Sequence, residues 1–229
     1  MTVFFVTFFA WVFQAVSGFG AGIFIIGFLS LFYEPKTVIV SSALFNLAGT
    51  LGLLYQNRKG KVNLYFLFSL VAGSLPGIYT GAYLLDKIDS HTLRVVIGLF
   101  IASLGLYDFL VQKGLLSFRL NRHMGLPMGF LGGLFAGLVG MGGPPPVVFL
   151  NQQLKDSCSI RLTLNLFFTS NILLRLLFYQ NFQVVRLDIH FVAQGLAGAL
   201  FGVLVGGFVA KSLRAHAYKK LVPLSVFVL

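Results

Sequence analysis

Glycine and proline are concentrated at two points of this chain, and each point lies inside a long apolar stretch. Residues 137–147 read GLVGMGGPPPV, and residues 18–22 read GFGAG. A helix interior penalises glycine by about 1 kcal/mol and proline by about 3 kcal/mol, so both stretches should break a helix. Proline is tolerated in the first turn of a helix, which predicts helix starts near Pro144 and, in the milder first stretch, near Ala21.

A helix that begins at a glycine bend presents backbone N–H groups and the positive end of its dipole, an arrangement that binds small anions. The residues at the two breaks are therefore the first candidates for binding an anion. They are Ser17, Gly18, Phe19, Gly20 and Gly22 at the first break, and Gly140, Met141, Gly142, Gly143 and Pro144 at the second. The alternative is that these glycines only let helices pack closely. The prolines and the repetition favour a binding site.

Polar side chains inside the apolar segments are further candidates. Asn46 and Thr50 are four residues apart, as are Asn165 and Thr169, so each pair shares one helical face. They could donate hydrogen bonds to an anion, or they could join neighbouring helices. Arg175 is the only basic residue well inside an apolar run. It could pair with the anion, or its long side chain could reach the membrane surface.

The acidic residues and histidines narrow the chemistry by where they fall. All six acids lie in loops or near helix ends, which argues against a proton relay through carboxylates and against a cation site. The four histidines do not cluster with carboxylates, which argues against a membrane-embedded enzyme. A single cysteine, Cys158, rules out a multi-cysteine metal site. We expect no cofactor and no metal, and the inner apolar region suits a small oxyanion.

The composition is that of an all-α polytopic membrane protein. Hydrophobic residues make up 57% of the 229 residues and charged residues only 10%, against about 25% charged in soluble domains. Several runs match the roughly 20 apolar residues needed to cross a bilayer. The net charge of +11 comes from Lys and Arg in short loops, which indicates contact with membrane lipid rather than nucleic acid. A multi-pass location in the inner membrane follows, and the oligomeric state stays open.

The chain contains an internal duplication. Residues 73–94 align with 198–219 at an offset of 125, which superimposes Gly73, Gly77 and Gly81 on Gly198, Gly202 and Gly206. These two glycine triads are best explained by close helix packing. Asn46 and Thr50 align with Asn165 and Thr169 at an offset of 119.

The duplication predicts a first repeat at 1–111, a connecting loop at 112–123 and a second repeat at 124–229. Each repeat holds one broken segment, 3–32 or 126–154, and three ordinary transmembrane segments. The last segment of the second repeat, at about 217–229, is short.

The orientation of the repeats depends on whether the broken segments cross the membrane or return. If they cross, the halves are parallel, and Lys and Arg divide almost evenly between the two sides. If they are re-entrant, the halves are inverted, and twelve basic residues lie on one side against four on the other. The positive-inside rule favours this second arrangement, an inverted repeat.

Three stretches resemble the sulfite exporter TauE/SafE family: FQAVSGFGAGIFIIGFL, GLFAGLVGMGGPPPVVFL and GSLPGIYTGAYLLDKI. The resemblance covers almost the whole chain. It implies export or uptake of small anions, most of them sulfur-containing, such as sulfite, sulfoacetate or thiosulfate, and it supports 17–22 and 140–145 as the central breaks. The prediction is a secondary transporter that works by alternating access around two half-helix N-termini, with a passive anion channel as the alternative.

Overall fold

The computed structural model describes residues 1–58, 60–115, 119–182 and 187–212, which form helices and turns without a strand. Nine α-helices follow one another within these ranges, with one turn of 3-10 helix at Arg122–Met124. They are α1 (Thr2–Ser17), α2 (Ala21–Leu29), α3 (Pro35–Asn57), α4 (Leu64–Lys87), α5 (Ser90–Gln112), α6 (Gly125–Val139), α7 (Pro144–Gln153), α8 (Ser157–Asn181) and α9 (Ile189–Ser212). The short last segment predicted at 217–229 lies outside the described residues.

Both breaks occur where the sequence predicts them, and left-handed glycines produce them. Gly18, with a φ of 100°, ends α1, and Gly20, with a φ of 110°, precedes α2. In the second half Gly140, with a φ of 72°, ends α6. A residue with a Cβ is strained at such angles, so glycine is what lets the chain turn within three or four residues. The helix starts predicted near Ala21 and Pro144 are confirmed.

Five helices, α3, α4, α5, α8 and α9, are long and apolar enough to cross a membrane. Large apolar side chains cover their outer faces, and Leu99 on α5 and Phe208 on α9 are 65% and 75% exposed. Hydrocarbon rather than water is the solvent that such a surface requires. The chain is an all-helical, multi-pass membrane protein, as the composition predicts.

Two glycine-lined seams hold the halves together. In the first seam α4 packs on α6, where a Cβ added at Gly77 would lie 2.8 Å from the backbone nitrogen of Leu134. In the second, α9 packs on α1, where a Cβ at Gly202 would lie 2.6 Å from the carbonyl oxygen of Phe8. Only a glycine permits this approach of backbone to backbone. The interpretation of the two glycine triads as packing residues is confirmed, and each seam joins a helix of one half to a helix of the other.

Most of the acidic residues are helix N-caps, which explains why they lie near helix ends. The caps are Glu34 of α3, Asp89 of α5, Asp156 of α8 and Asp188, which accepts the backbone N–H groups at the start of α9. Hydrogen bonds from the hydroxyl and backbone N–H of Thr92 lower the pKa of Asp89 from 3.8 to about 2. Asp108 differs, because it is 9% exposed within α5, where Gln112 Nε2 donates to it at 2.7 Å.

Matching helices of the two halves start at nearly constant distances along the sequence. α1 and α6 start 123 residues apart, α3 and α8 start 122 apart, and α4 and α9 start 125 apart. This regularity supports the duplication, but it shows that the offset of 119 assumed for α3 and α8 is displaced by about one helical turn. The predicted equivalence of Asn46 with Asn165 is therefore wrong, while the repeat boundaries and the inverted orientation stay predictions.

Candidate functional site

A cavity lies where the two breaks meet. Gly22 on α2 touches the second break, since a Cβ added there would lie 3.3 Å from the carbonyl oxygen of Gly140. Residues of α1, α2, α3, α6 and α8 complete the wall. The cavity leaves about 70 Å³ for the centres of water-sized spheres. A single water needs roughly 10–15 Å³ by the same measure, so the space suits a few waters or one small oxyanion.

The structure brings most of the predicted site residues together around this cavity. Those lining it are Phe19, Gly20, Gly22, Asn46, Thr50, Gly140, Met141, Gly142, Gly143 and Arg175. They come from both breaks, from the polar face of α3 and from α8. Residues more than 120 positions apart in sequence therefore share one wall. In the sequence, only the duplication of the breaks suggested that they lie close together.

Three predicted residues shape the breaks without lining the cavity. Ser17 Oγ lies 2.7 Å from the carbonyl oxygen of Phe19 and holds the turn after α1. Gly18 lies beside the side chain of Arg161, 3.5 Å from where its Cβ would be. Pro144 is buried as the first residue of α7. Their positions connect them with the local bend rather than with a bound molecule.

Asn165 and Thr169 lie on a different face of α8 from the cavity. Asn165 Nδ2 donates to the carbonyl oxygen of Arg161 at 2.8 Å, and Thr169 Oγ1 donates to that of Asn165 at 2.8 Å. Asn171 and Arg175, one turn apart, line the cavity instead. Asn171 lies six positions after Asn165, so its side chain is rotated by roughly two thirds of a turn around the helix.

Arg175 supplies positive charge to the cavity wall. Its side chain is 3% exposed, its Nη2 donates to the carbonyl oxygen of Ile39 at 3.2 Å, and its Nε donates to Tyr179 Oη at 3.3 Å. Tyr179 in turn donates to the carbonyl oxygen of Gly137 at 2.6 Å, which fixes the ring beside the second break. In the described part of the chain no carboxylate forms an ion pair with Arg175.

The breaks offer backbone N–H groups, but not the ones expected for the second helix. Residues 144–146 are proline and carry no N–H, and the N–H of Val147 donates to the carbonyl oxygen of Gly143 at 3.1 Å. The first turn of α7 therefore has no free N–H. The available donors are the N–H groups of Gly20, Gly22, Gly142 and Gly143, which have no hydrogen-bond partner in the described residues.

Several cavity residues were not selected from the sequence. The apolar ones, Trp11, Ile23, Ala136, Phe167, Phe168 and Ile172, are indistinguishable by type from ordinary core residues. Gln14 and Asn171 differ from these, because they are polar residues inside apolar segments, and the criterion that selects Asn46 and Thr50 makes them candidates as well.

Polar atoms without partners surround the cavity. Trp11 Nε1, Asn46 Oδ1 and Asn171 Oδ1 are buried and form no hydrogen bond with the described residues, although each residue lines the cavity. Gln14 Oε1, by contrast, accepts the N–H of Ala21 at 2.8 Å and so caps α2. Buried polar groups in native proteins are nearly always paired, so these atoms are candidates for hydrogen bonds with water or with a bound molecule.

Arg161 connects the second half to the first break. Its Nη1 and Nη2 donate to the carbonyl oxygens of Ala15 and Val16, the last turn of α1. A cation is favourable at the carboxyl end of a helix, where carbonyl groups lack partners. In the sequence Arg161 is one of the many Lys and Arg residues near loops, and nothing in its spacing predicts this contact.

Comparison with known proteins supports the family resemblance. The model of the sulfite exporter TauE/SafE family matches residues 3–229. The probable sulfite/organosulfonate exporter TauE of Cupriavidus necator is 29% identical over 171 residues, which are 72% of this chain and 66% of that protein. The chain thus matches just under two thirds of that relative's length, and no solved structure matches it. Since the family model spans nearly every residue, including both breaks, this chain belongs to the sulfite exporter TauE/SafE family.

Proposed function

We propose that this protein is a secondary transporter of a small sulfur-containing oxyanion, which binds in the cavity between the two breaks. The observation that carries the proposal is Arg175, a buried guanidinium at the cavity wall without a carboxylate partner among the described residues. A buried unpaired charge is costly, and an anion in the cavity would compensate it. The name of the relative from Cupriavidus necator points to sulfite or an organosulfonate as the anion.

The remaining donors suit the same substrate. Gly20 and Gly22 of the first break and Gly142 and Gly143 of the second line the cavity with unpaired N–H groups. Neutral donors from two sides and one cation can surround the oxygen atoms of a single oxyanion. The cavity volume of about 70 Å³ favours a guest with few heavy atoms.

The proposal is tested with purified protein in liposomes, by following uptake of labelled sulfite. A carrier gives a rate that saturates with concentration and rises when unlabelled sulfite is placed on the opposite side. A rate that stays linear in concentration, with no effect from the opposite side, would show a channel. The same assay run with organosulfonates of increasing length reports the size that the cavity accepts.

Two variants separate a role at the site from a general effect of charge. Arg175→Met should abolish saturable uptake, because the cavity loses its cation. Arg58→Met removes one positive charge from an exposed position at the end of α3 and should leave uptake unchanged. Equal loss in both variants, or full uptake by Arg175→Met, would place the site elsewhere.

A further inference from the structure

Asn171, a residue of the cavity wall, holds an acceptor that an anion without a proton cannot satisfy. Its side chain is 3% exposed, and its Oδ1 forms no hydrogen bond with the described residues. Its orientation is fixed, because Nδ2 lies 3.3 Å from the carbonyl oxygen of Phe167, which can only accept. Nδ2 also lies 3.3 Å from Ser74 Oγ, whose own proton goes to the carbonyl oxygen of Val71 at 2.9 Å. The orphaned atom of Asn171 is therefore the acceptor oxygen.

This acceptor lies next to the cation. Asn171 and Arg175 are four residues apart on α8, so their side chains are neighbours on one helical face, and both line the cavity. On the α1 side, Trp11 Nε1 is a buried donor without a partner among the described residues. Among the described residues that line the cavity, Arg175 is the only charged one. The wall thus combines one positive charge, several donors, the acceptor of Asn171, whose orientation is fixed, and the amide of Asn46, whose Oδ1 also has no partner in the described part of the chain.

We infer that the cavity selects a monoanion that carries its own hydrogen-bond donor, so that sulfite binds as hydrogen sulfite and not as the dianion. This inference rests on the proposed function. Hydrogen sulfite brings one negative charge to Arg175 and one O–H group to Asn171 Oδ1. A dianion brings no proton, leaves the amide oxygen unpaired and doubles a charge that a single guanidinium must balance. An unsatisfied buried acceptor corresponds to about a ten- to hundredfold loss of affinity.

The pH dependence of binding should then follow the substrate, whose second proton dissociates near neutral pH. The lining residues of α1, α2, α3, α6 and both breaks carry no group that titrates in this range. Within α8 the ionisable neighbours are Arg175 itself and Tyr179, which is hydrogen-bonded to it, and α4 contributes the hydroxyl of Ser74. Among the described residues around the cavity no group competes with the anion, so we expect a change of affinity across neutral pH to follow the protonation of the anion.

The test is calorimetric titration of the full-length protein in detergent, over a pH range that spans the second dissociation of sulfite. Methanesulfonate serves as a monoanion of similar size without an O–H group, and sulfate as a dianion. Above that dissociation the apparent affinity for sulfite should fall about tenfold per pH unit, because only the protonated fraction binds. Methanesulfonate should bind about tenfold or more weakly than hydrogen sulfite, with no pH dependence, and sulfate should not bind.

An affinity for sulfite that is constant or rises with pH would overturn this inference, while the binding itself would leave the proposed function intact. Failure of all three anions to bind at every pH would instead contradict the proposed function. Equal affinity for hydrogen sulfite and methanesulfonate would also overturn the inference, because it would show that water, and not the anion, pairs with Asn171 Oδ1. The wild-type series decides the matter even if a variant does not fold.

One variant assigns the effect to its residue. Asn171→Leu removes the acceptor, so the advantage of hydrogen sulfite over methanesulfonate should disappear. Ser170→Ala is the matched control on the same helix, because Ser170 Oγ donates to the carbonyl oxygen of Leu166 and does not line the cavity. Retention of the full advantage in Asn171→Leu would refute the role of Asn171.

Discussion

Replacing Arg175 with methionine should uncouple anion binding from stability. The variant loses two hydrogen bonds from a charged donor, to the carbonyl oxygen of Ile39 and to Tyr179 Oη, each worth about 1.5–3 kcal/mol. It also removes a buried charge without a carboxylate partner in the described residues, which returns several kcal/mol of desolvation cost. Tyr179 keeps its hydrogen bond to Gly137. The two terms nearly cancel, so the free energy of unfolding should change by no more than about 2 kcal/mol.

The response to the anion should change far more. For the wild-type protein, ligand at one hundred times its Kd stabilises the folded state by about 2.7 kcal/mol, which corresponds to a rise in Tm of roughly 5–10 °C. Arg175→Met should show no rise at the same concentration. The measurement is a thermal melt in detergent, with and without sulfite at low pH. A variant that melts much earlier than wild type yet still gains the full increment would refute the reasoning, because Arg175 would then be a structural residue only.

Three further predictions concern the backbone and the helix caps. Gly77→Ala forces a methyl group into the seam between α4 and α6 and should destabilise the protein by about 1–3 kcal/mol. The control is Gly98→Ala, where nothing lies within 4 Å of the added Cβ, and its Tm should equal or exceed that of wild type. Equal effects of the two variants on Tm would contradict the seam. Gly140→Ala places a Cβ at a φ of 72° and 3.2 Å from Arg175 Nη2. The substitution should lower the free energy of unfolding by about 1–2 kcal/mol and reduce the rise in Tm that sulfite produces. A variant with wild-type stability and binding would show that the bend tolerates a side chain. Asp89, whose pKa is lowered from 3.8 to about 2, should stabilise the protein above about pH 4 and lose that contribution as the pH falls toward 2. The difference in Tm between wild type and Asp89→Asn should therefore shrink over this range. A difference that does not depend on pH would show that the Asp89 carboxylate is not the stabilising group.

The elements of this fold follow from local chemistry, which is why the sequence predicts them well. Glycine and proline have strong local backbone preferences, so helix starts could be predicted near Ala21 and near Pro144, and the structure confirms both. The spacing of the glycine triads likewise identified the two seams. The absence of donors in the first turn of α7 was also readable, since proline has no N–H, and expecting donors there overlooked that fact.

The face of α8 that forms the cavity was harder to predict. It depends on the rotation of the helix about its axis, and Asn165 and Thr169 lie about two thirds of a turn away from the cavity-lining face that holds Asn171 and Arg175. Asn171 and Arg175 share the face that lines the cavity, and the spacing between them was visible in the sequence. Trp11 and the phenylalanines could not have been identified, because a cavity wall and a packed core use the same apolar residues.

The packing of helices of one half against helices of the other also limits how this protein can move. α1 is locked to α9, and α6 to α4, through glycines that admit no slippage without steric conflict. Rocking one half as a rigid block against the other would have to tear both of these contacts open. Under the proposed function, a tilt of the short helices α2 and α7 about their glycine joints would open the cavity and leave both seams intact. Gly20 and Gly140 already combine two roles, since each bends the chain with a positive φ and each lines the cavity.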